Sequence, residues 1–212
     1  GAELHHYSNP LLLGWGAAFE RWRHKRKTGA APYTIAPGGT AAVGNVGYVN
    51  AVFELKSQIE AGAMPEPDVI YAAAGTMGTA AGLMLGLRAA GLARAYVRRA
   101  LGAKALAIED LLAPPSRLVR QFNQTGELLH AKDEAFPRLT LTEPEVNLRH
   151  EFFGAGYACF TPEGEAAVRL MEETEGLKLE GTYTGKALAA LVHDARQGRL
   201  TGKVALFWNT YS

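Results

Sequence analysis

The sequence predicts an α/β fold, a three-layer doubly wound domain built on a mostly parallel sheet. Three observations support this prediction. Segments of strand length alternate with segments of helical periodicity along the 212 residues. The apolar run DVIYAAA at 68–74 is typical of a strand that a parallel sheet buries on both faces. The composition, 48% hydrophobic and 20% charged, supplies a full core and excludes a chain that is disordered in bulk.

The first elements in chain order are a strand, a helix, a second strand and a second helix. We predict strands at 1–7 and 32–36 and a helix at 11–27, which is basic from Arg21 onward and is followed by Gly29 as a stop. Apolar residues at 43, 46, 49 and 53 recur at helical spacing, which predicts a helix at 42–61.

The strand 68–74 opens the second part of the pattern, which continues to the end of the chain. Pro162 suits the first position of a helix, and Pro114 with Pro115 separates two others. The remaining predictions are a helix at 80–90, a strand at 95–98, two helices within 103–129, helices at 161–173 and 184–197, and a strand at 203–208.

Charge and hydropathy exclude several classes of partner. The 22 Lys and Arg residues nearly balance the 21 Asp and Glu residues, so the net charge of +1 gives no general reason to bind nucleic acid or an anionic membrane. The basic end of the first helix is interpreted as solvated. The apolar stretch 72–87 contains four glycines and is short for a bilayer. We expect a cytoplasmic protein.

Neither cysteine nor histidine predicts a metal centre. The single cysteine, Cys159, excludes a disulfide within the chain and a zinc cage built on cysteines, and we expect it to be a small buried side chain. The six histidines lack the spacing of metal ligands. No metal is expected.

A glycine- and threonine-rich turn follows the strand 68–74. Its residues are Gly75, Thr76, Met77, Gly78 and Thr79. A strand that turns here into a helix presents free N–H groups and the positive end of the helix dipole, and the two threonine hydroxyls add donors. The turn lacks the lysine of a P-loop and the glycine spacing of a dinucleotide site. Binding of a single phosphate group and a merely tight turn both remain open.

Three blocks of sequence carry a resemblance to a known family. They are IAPGGT with GYVNA at 35–40 and 47–51, AGTMGTAAGL at 74–83, and TYTGKA with VALFWNT at 182–187 and 204–210. In order and spacing these blocks resemble the D-cysteine desulfhydrase and aminocyclopropane-carboxylate deaminase family of pyridoxal-phosphate enzymes. The fold of that family is akin to the tryptophan synthase β-subunit. The resemblance covers essentially the whole chain.

The resemblance implies which residues bind the cofactor, pyridoxal 5′-phosphate. The turn from Gly75 to Thr79 would hold its phosphate, with Met77 standing where the family usually has a second glycine. Thr184 would face the pyridine nitrogen. The deaminase branch has a glutamate there, so Thr184 favours the desulfhydrase-like branch. A hydroxyl there leaves the cofactor a weaker electron sink, suited to eliminating a β leaving group.

The resemblance also implies two catalytic residues. Tyr183 adjoins Thr184 in the same motif, and Tyr157 aligns with a second tyrosine of the family's site. Their implied roles are contact with the substrate and proton transfer near the leaving group. The alternative interpretation is that both are ordinary half-buried tyrosines.

The family's cofactor-binding lysine is the largest departure. It lies in a Gly-Asn-Lys context, and a Ser-Asn loop that grips the substrate carboxylate follows it. None of the eight lysines here has that context, and Lys186, although it lies in the motif, is not the family's cofactor lysine. We therefore expect the C-terminal two-thirds of the family fold, lacking the N-terminal segment. Residues 1–33 would be a remnant of the smaller domain with its linking helix, and residues 34–212 the cofactor-binding domain.

The resulting hypothesis is a C-terminal portion or subunit of a pyridoxal-phosphate-dependent amino-acid lyase or deaminase. It would carry out a D-cysteine desulfhydrase-like elimination, a carbon-sulfur lyase reaction, once a lysine-bearing N-terminal polypeptide completes it. Apolar surface left uncovered would favour that partner or an oligomer. The alternative is a non-catalytic remnant that acts as a structural or regulatory subunit.

Overall fold

The computed structural model describes residues 3–92, 114–146 and 148–210. It divides into two compact units, Gly1–Ala36 and Pro37–Ser212. Among the described residues, no helix is both long enough and apolar enough to cross a membrane. The helices are α1 (Pro10–Thr28), α2 (Ala42–Glu60), α3 (Gly78–Ala89), α4 (Pro115–Lys132), α5 (Pro162–Glu175) and α6 (Thr184–Arg196), and the strands are β1 (Val69–Ala72) and β2 (Ala205–Trp208).

The first unit consists of α1 and its flanking segments. Asn9 caps the helix by accepting a hydrogen bond from the Leu12 N–H at 2.9 Å, and Gly29 ends it in the left-handed conformation with φ 80°. The predicted helix is therefore confirmed. The predicted strands are wrong, because residues 3–7 and 32–36 have no strand pairing. An extended segment becomes a strand only when a neighbouring strand completes its hydrogen bonds.

In the second unit, β1 and β2 pair in parallel. Val69 lies opposite Ala205, and Ala72 lies opposite Trp208. The Asp68 carboxylate extends this pairing by accepting the Val204 N–H at 2.7 Å. The two predicted strands are therefore confirmed in shorter form, and the parallel sheet agrees with the predicted fold class.

Helices cover both faces of this sheet. Successive side chains of a strand point to opposite faces. Ile70 and Ala72 pack in the core that α2 and α3 form, whereas Val69 and Tyr71 pack with Ala190 of α6. The described structure thus has the three layers that the sequence predicts.

Helices α2 and α3 run in the same direction and touch through glycines. A Cβ on Gly82 would lie 2.7 Å from the Asn45 carbonyl oxygen, and a Cβ on Gly86 would lie 3.0 Å from the Val49 carbonyl oxygen. The contacting residues advance together along both helices, so the helices are parallel and their N-termini lie at the same end of the unit. This places the start of α2 beside the start of α3.

The other predicted elements have mixed outcomes. The helices that became α2, α3, α5 and α6 are confirmed with small shifts at their ends, as is the helix after Pro114. The predicted strand at 95–98 and the first of the two helices predicted within 103–129 lie outside the described residues.

A buried polar cluster joins β1 to the far end of α6. The Tyr71 hydroxyl donates to Asp194 at 2.6 Å, and Arg149 and Arg199 donate to the same carboxylate at 2.5 and 2.8 Å. Burial raises the pKa of Asp194, but the hydrogen bond from Tyr71, that from Arg199 and the charge of Arg149 outweigh it and leave this pKa below its usual value. The ionised carboxylate therefore stabilises the fold.

Substitution Asp194→Asn should lower the free energy of unfolding by about 2–3 kcal/mol at pH 7, because the two arginines lose their buried counter-charge. A lowered folded-state pKa stabilises the protein above the unfolded value, near 3.9, and that stabilisation disappears as the pH falls through the folded value. In urea titrations the difference between the two proteins should stay constant from about pH 7 to 5 and shrink below about pH 4. A difference that persists at the lowest pH would contradict this assignment.

Candidate active site

The turn that follows β1 leads directly into the N-terminus of α3. The first hydrogen bond inside this helix runs from the Ala81 N–H to the Met77 carbonyl at 2.9 Å, so the N–H groups of residues 78–80 precede the helical ladder. Met77 occupies the N-cap position and makes no side-chain capping bond. The positive end of α3 therefore lies at the carboxyl edge of the sheet without a capping side chain, as an anion site requires.

A second turn, Pro37–Gly39, lies against this loop. The Thr40 hydroxyl donates to the Thr76 hydroxyl. Gly38 has φ 68°, and a Cβ there would lie 2.7 Å from the Thr76 hydroxyl oxygen. The two turns are therefore in direct contact, and a side chain at position 38 would displace Thr76, which the resemblance assigns to phosphate binding.

Beneath the loop, Asn45 supports the first residue of α3. Its amide donates to Gln121 and to Thr125, both at 3.0 Å. A Cβ on Gly78 would lie 2.7 Å from the Asn45 side-chain oxygen. Only glycine fits at position 78, because any side chain would collide with Asn45. The buried Asn45 amide therefore supports the loop at the start of α3.

Met77 has a backbone conformation that glycine normally adopts. Its φ is 74°, while its side chain is 1% exposed within the core between α3 and α4. The left-handed conformation costs an L-residue about 1–2 kcal/mol, which the buried side chain offsets. The loop keeps the glycine-like backbone although the glycine itself is absent.

The two tyrosines that the sequence singles out lie together at this loop. The Tyr183 hydroxyl donates to the Tyr157 hydroxyl at 3.1 Å, and the rings meet edge to face at 5.9 Å between centroids. A Cβ on Gly75 would lie 3.1 Å from the Tyr183 ring. The structure therefore brings Tyr157, Tyr183 and the glycine turn into one site, although their catalytic and binding roles stay predictions.

Glu180 fixes the start of α6, where Tyr183 lies. Its carboxylate accepts the N–H groups of Thr182 at 2.6 Å, of Tyr183 and of Thr184 at 2.8 Å. Burial raises the pKa of Tyr183 well above its ordinary value, with further contributions from the hydrogen bond to Tyr157 and the charges of Tyr157 and Glu180. The hydroxyl of Tyr183 is therefore a weaker acid than that of an ordinary tyrosine, in agreement with its role as the donor to Tyr157.

Thr184 is fully buried at the first position of α6. Its hydroxyl accepts the Glu180 N–H at 3.2 Å and donates to the Glu180 carbonyl at 3.3 Å. These bonds hold Thr184 beside the tyrosine pair. That its hydroxyl faces a cofactor stays a prediction.

Tyr157 lies in a tight turn of four residues. The Cys159 N–H donates to the Gly156 carbonyl at 3.3 Å, and Ala158 between them has φ 58°. Cys159 is exposed, so the expectation that it is buried is wrong. Residues 157–160 are all exposed, so the turn lies on the surface of the described structure. Among the described non-glycine residues, positive φ occurs at Met77 and Ala158, and both adjoin site residues.

Substitution Ala158→Gly should raise the free energy of unfolding by about 0.5–1 kcal/mol. Glycine removes the cost of the left-handed conformation, and this gain exceeds its greater loss of chain entropy. The matched control is Ala155→Gly in the same loop, which has no positive φ to relieve and should lose about 0.5 kcal/mol. Urea midpoints measure both, and equal destabilisation by the two changes would contradict strain at Ala158.

Sequence reasoning missed two residues of the site, Glu180 and Asn45. An acidic residue four positions before the first residue of a helix can bond the free N–H groups, and this pattern was available at Glu180. A polar residue on the apolar stripe of α2, four positions before Val49, was the corresponding indication for Asn45. Among the described residues, no three histidine, cysteine or acidic side chains group as metal ligands would.

Comparisons with known proteins identify a family and a similar fold. The family model described as "Pyridoxal-phosphate dependent enzyme" matches residues 1–210. A protein of Pyrococcus horikoshii named "Putative 1-aminocyclopropane-1-carboxylate deaminase" is 34% identical over 185 residues, which are 87% of this chain and 50% of that protein. A crystal structure described as an ACC deaminase homologue matches with a TM-score of 0.77 and 30% identity, over 99% of this chain and 57% of the other. The chain thus spans about half the length of the relatives it matches.

Proposed function

Because the chain belongs to the family of pyridoxal-phosphate dependent enzymes, we propose that it is the C-terminal part or subunit of an amino-acid lyase or deaminase. The proposed reaction is the elimination of a β leaving group, with D-cysteine-like amino acids as the substrate class. The observation that carries this proposal is the meeting of Tyr157, Tyr183 and Gly75 at the carboxyl edge of the sheet.

The residues present fit the phosphate of this cofactor. The α3 N-terminus has no capping side chain, and the crowded positions Gly38 and Gly78 leave no room for a side chain in the loop wall. Main-chain N–H groups of residues 78–80 and the hydroxyls of Thr76 and Thr79 would bind the phosphate oxygens. This donor set suits a compact dianion.

When bound, the cofactor supplies an electron sink for negative charge at the α-carbon of the amino acid. Tyr157 and Tyr183 would transfer protons near the leaving group. The Tyr183 hydroxyl donates to the Tyr157 oxygen, so the Tyr157 O–H group is free to donate a hydrogen bond to the leaving sulfur. Glu180 keeps Tyr183 in place through the main chain.

Thermal unfolding with added ligands tests the binding step. Pyridoxal phosphate at 100 times its dissociation constant should stabilise the chain by about 2.7 kcal/mol, a rise in melting temperature of about 5–10 °C. Pyridoxal, which lacks the phosphate, should produce a much smaller rise at the same concentration. The absence of any shift with pyridoxal phosphate at millimolar concentration would refute the proposed site.

The proposal includes a partner that supplies the cofactor-binding lysine. None of the chain's lysines has the Gly-Asn-Lys context of the resembling family. Helix α1 also exposes a group of large apolar side chains that a partner chain or a second copy would cover: Leu11, Leu12, Leu13, Trp15, Phe19 and Trp22. A monomer in sedimentation velocity that unfolds cooperatively without a partner would count against this part of the proposal.

The second candidate function is a non-catalytic subunit that keeps the fold for assembly or regulation. The observation that favours it is that none of the eight lysines of the sequence has the Gly-Asn-Lys context. Absorbance separates the two candidates. A cofactor bound covalently to a lysine absorbs near the visible, so this band should appear only when the chain is mixed with a lysine-bearing partner. No band with any such partner would favour the non-catalytic role.

A further inference from the structure

Lys186 is a buried cation to which the proposed chemistry assigns no role. Its side chain is 3% exposed in the first turn of α6. The ammonium nitrogen donates to the Phe153 carbonyl oxygen at 2.7 Å and lies 5.5 Å from the centroid of the Phe153 ring. Burying a cation is costly unless a contact compensates. The two contacts with Phe153 compensate this cost.

The contact joins the two segments that carry the tyrosine pair. Lys186 lies three residues after Tyr183, and Phe153 lies four residues before Tyr157. The lysine stem is fixed by packing, since a Cβ on Gly164 of α5 would lie 3.4 Å from the Lys186 Cγ. The ammonium thus reaches the loop from a rigid helix that α5 supports.

The loop around Tyr157 needs such an anchor. Its turn has Ala158 in the left-handed conformation, and the Tyr157 side chain is itself exposed. A strained, exposed turn keeps one conformation only when its surroundings hold it. Phe153 precedes this turn, and its carbonyl takes a charge-assisted hydrogen bond from α6.

We infer that Lys186 is a positioning residue that keeps Tyr157 within hydrogen-bonding distance of Tyr183. This inference rests on the proposed function for its importance to catalysis, but the positioning itself is a property of the chain alone. Burial lowers the pKa of Lys186, whereas the charges of Cys159 and Glu180 raise it in opposition.

Fluorine NMR of the chain labelled with 3-fluorotyrosine tests the inference. Substitutions Tyr157→Phe and Tyr183→Phe assign the two resonances. Lys186→Met keeps an unbranched side chain one atom shorter and removes the donor, so both assigned resonances should move by more than a linewidth. Lys186→Arg, which keeps a cationic donor, should restore them towards their original positions. The control Lys178→Met removes an exposed lysine and should leave both unchanged.

The resonances distinguish positioning from a structural role. A merely structural lysine would lower the melting temperature and leave the assigned resonances of Tyr157 and Tyr183 in place, which would overturn the inference. If Lys186→Met does not fold, Lys186→Gln provides the same readout with a polar side chain too short for the contact. Failure of the proposed function would appear separately, as no thermal shift with pyridoxal phosphate in the unsubstituted chain.

Discussion

The purified 212-residue chain should leave D-cysteine and aminocyclopropane-carboxylate unconverted, even with saturating pyridoxal phosphate. A lysine amine beside the substrate would hold the cofactor and, for D-cysteine, would also take the α-proton, whereas aminocyclopropane-carboxylate has no α-proton and would need only the first of these roles. The ammonium of Lys186 is bound to the Phe153 carbonyl and does not supply this amine. The expected loss relative to a completed enzyme is several orders of magnitude.

Mixing with a lysine-bearing N-terminal polypeptide should restore conversion that depends on pyridoxal phosphate. In the restored enzyme, Tyr183→Phe and Tyr157→Phe should each lower kcat by about 10²–10⁴, the usual contribution of a positioned proton donor. Thr184→Glu should alter the balance between elimination and deamination. Release of sulfide and pyruvate from D-cysteine measures the elimination, and release of ammonia from aminocyclopropane-carboxylate measures the deamination. Robust turnover by the purified chain without a partner would overturn the proposed need for a second polypeptide.

Substitution Gly78→Asp should abolish the stabilisation by pyridoxal phosphate. The new Cβ would lie 2.7 Å from the Asn45 oxygen and 3.3 Å from the Thr40 hydroxyl, so the loop must move. The added carboxylate also places a negative charge where the phosphate would bind. We expect an affinity loss of at least about 100-fold, or about 2.7 kcal/mol of binding free energy.

The matched control is Gly47→Asp, which adds the same charge in α2 at an exposed glycine with open space around its Cβ position. It should keep most of the thermal shift with pyridoxal phosphate. Circular dichroism checks that both variants retain the helices. Equal thermal shifts of the two variants with pyridoxal phosphate would contradict the assignment of Gly75–Thr79 as the phosphate site.

Local patterns predicted the helices well, because apolar residues recur at helical spacing in several of them and capping residues mark the ends of α1 and α5. α1 has Asn9 and Gly29 at its ends, and α5 has Thr161 and Pro162 at its start. The predictions of strands at 1–7 and 32–36 were wrong because the sequence of a segment describes only that segment, whereas a strand also needs a neighbouring strand to pair with. The predictions of β1 and β2 succeeded because the two apolar segments pair with each other, β1 fully buried and β2 half-buried.

The parts of the site that lie in one short motif were predictable from the sequence. The contacts between residues distant in the sequence were not. The glycine turn is visible in the sequence, as is the pairing of Tyr183 with Thr184 in one motif. The resemblance supplied Tyr157, but its 3.1 Å hydrogen bond to Tyr183 joins residues 26 apart. Asn45 reaches Gln121 across 76 residues. Such contacts arise from packing that no local pattern encodes.

The pairing of β1 with β2 has a kinetic consequence. Asp68 and Val204, which form a hydrogen bond at the edge of this pairing, are 136 residues apart. The pairing therefore closes a long loop, and the chain loses conformational entropy before new contacts compensate the loss. The contacts between α2 and α3 have much smaller sequence separation and should form earlier. Because Gly75 follows β1 and Tyr183 precedes β2, we expect the tyrosine pair to meet the glycine turn only after this late closure. A folding intermediate would then contain the glycine turn without the tyrosine pair.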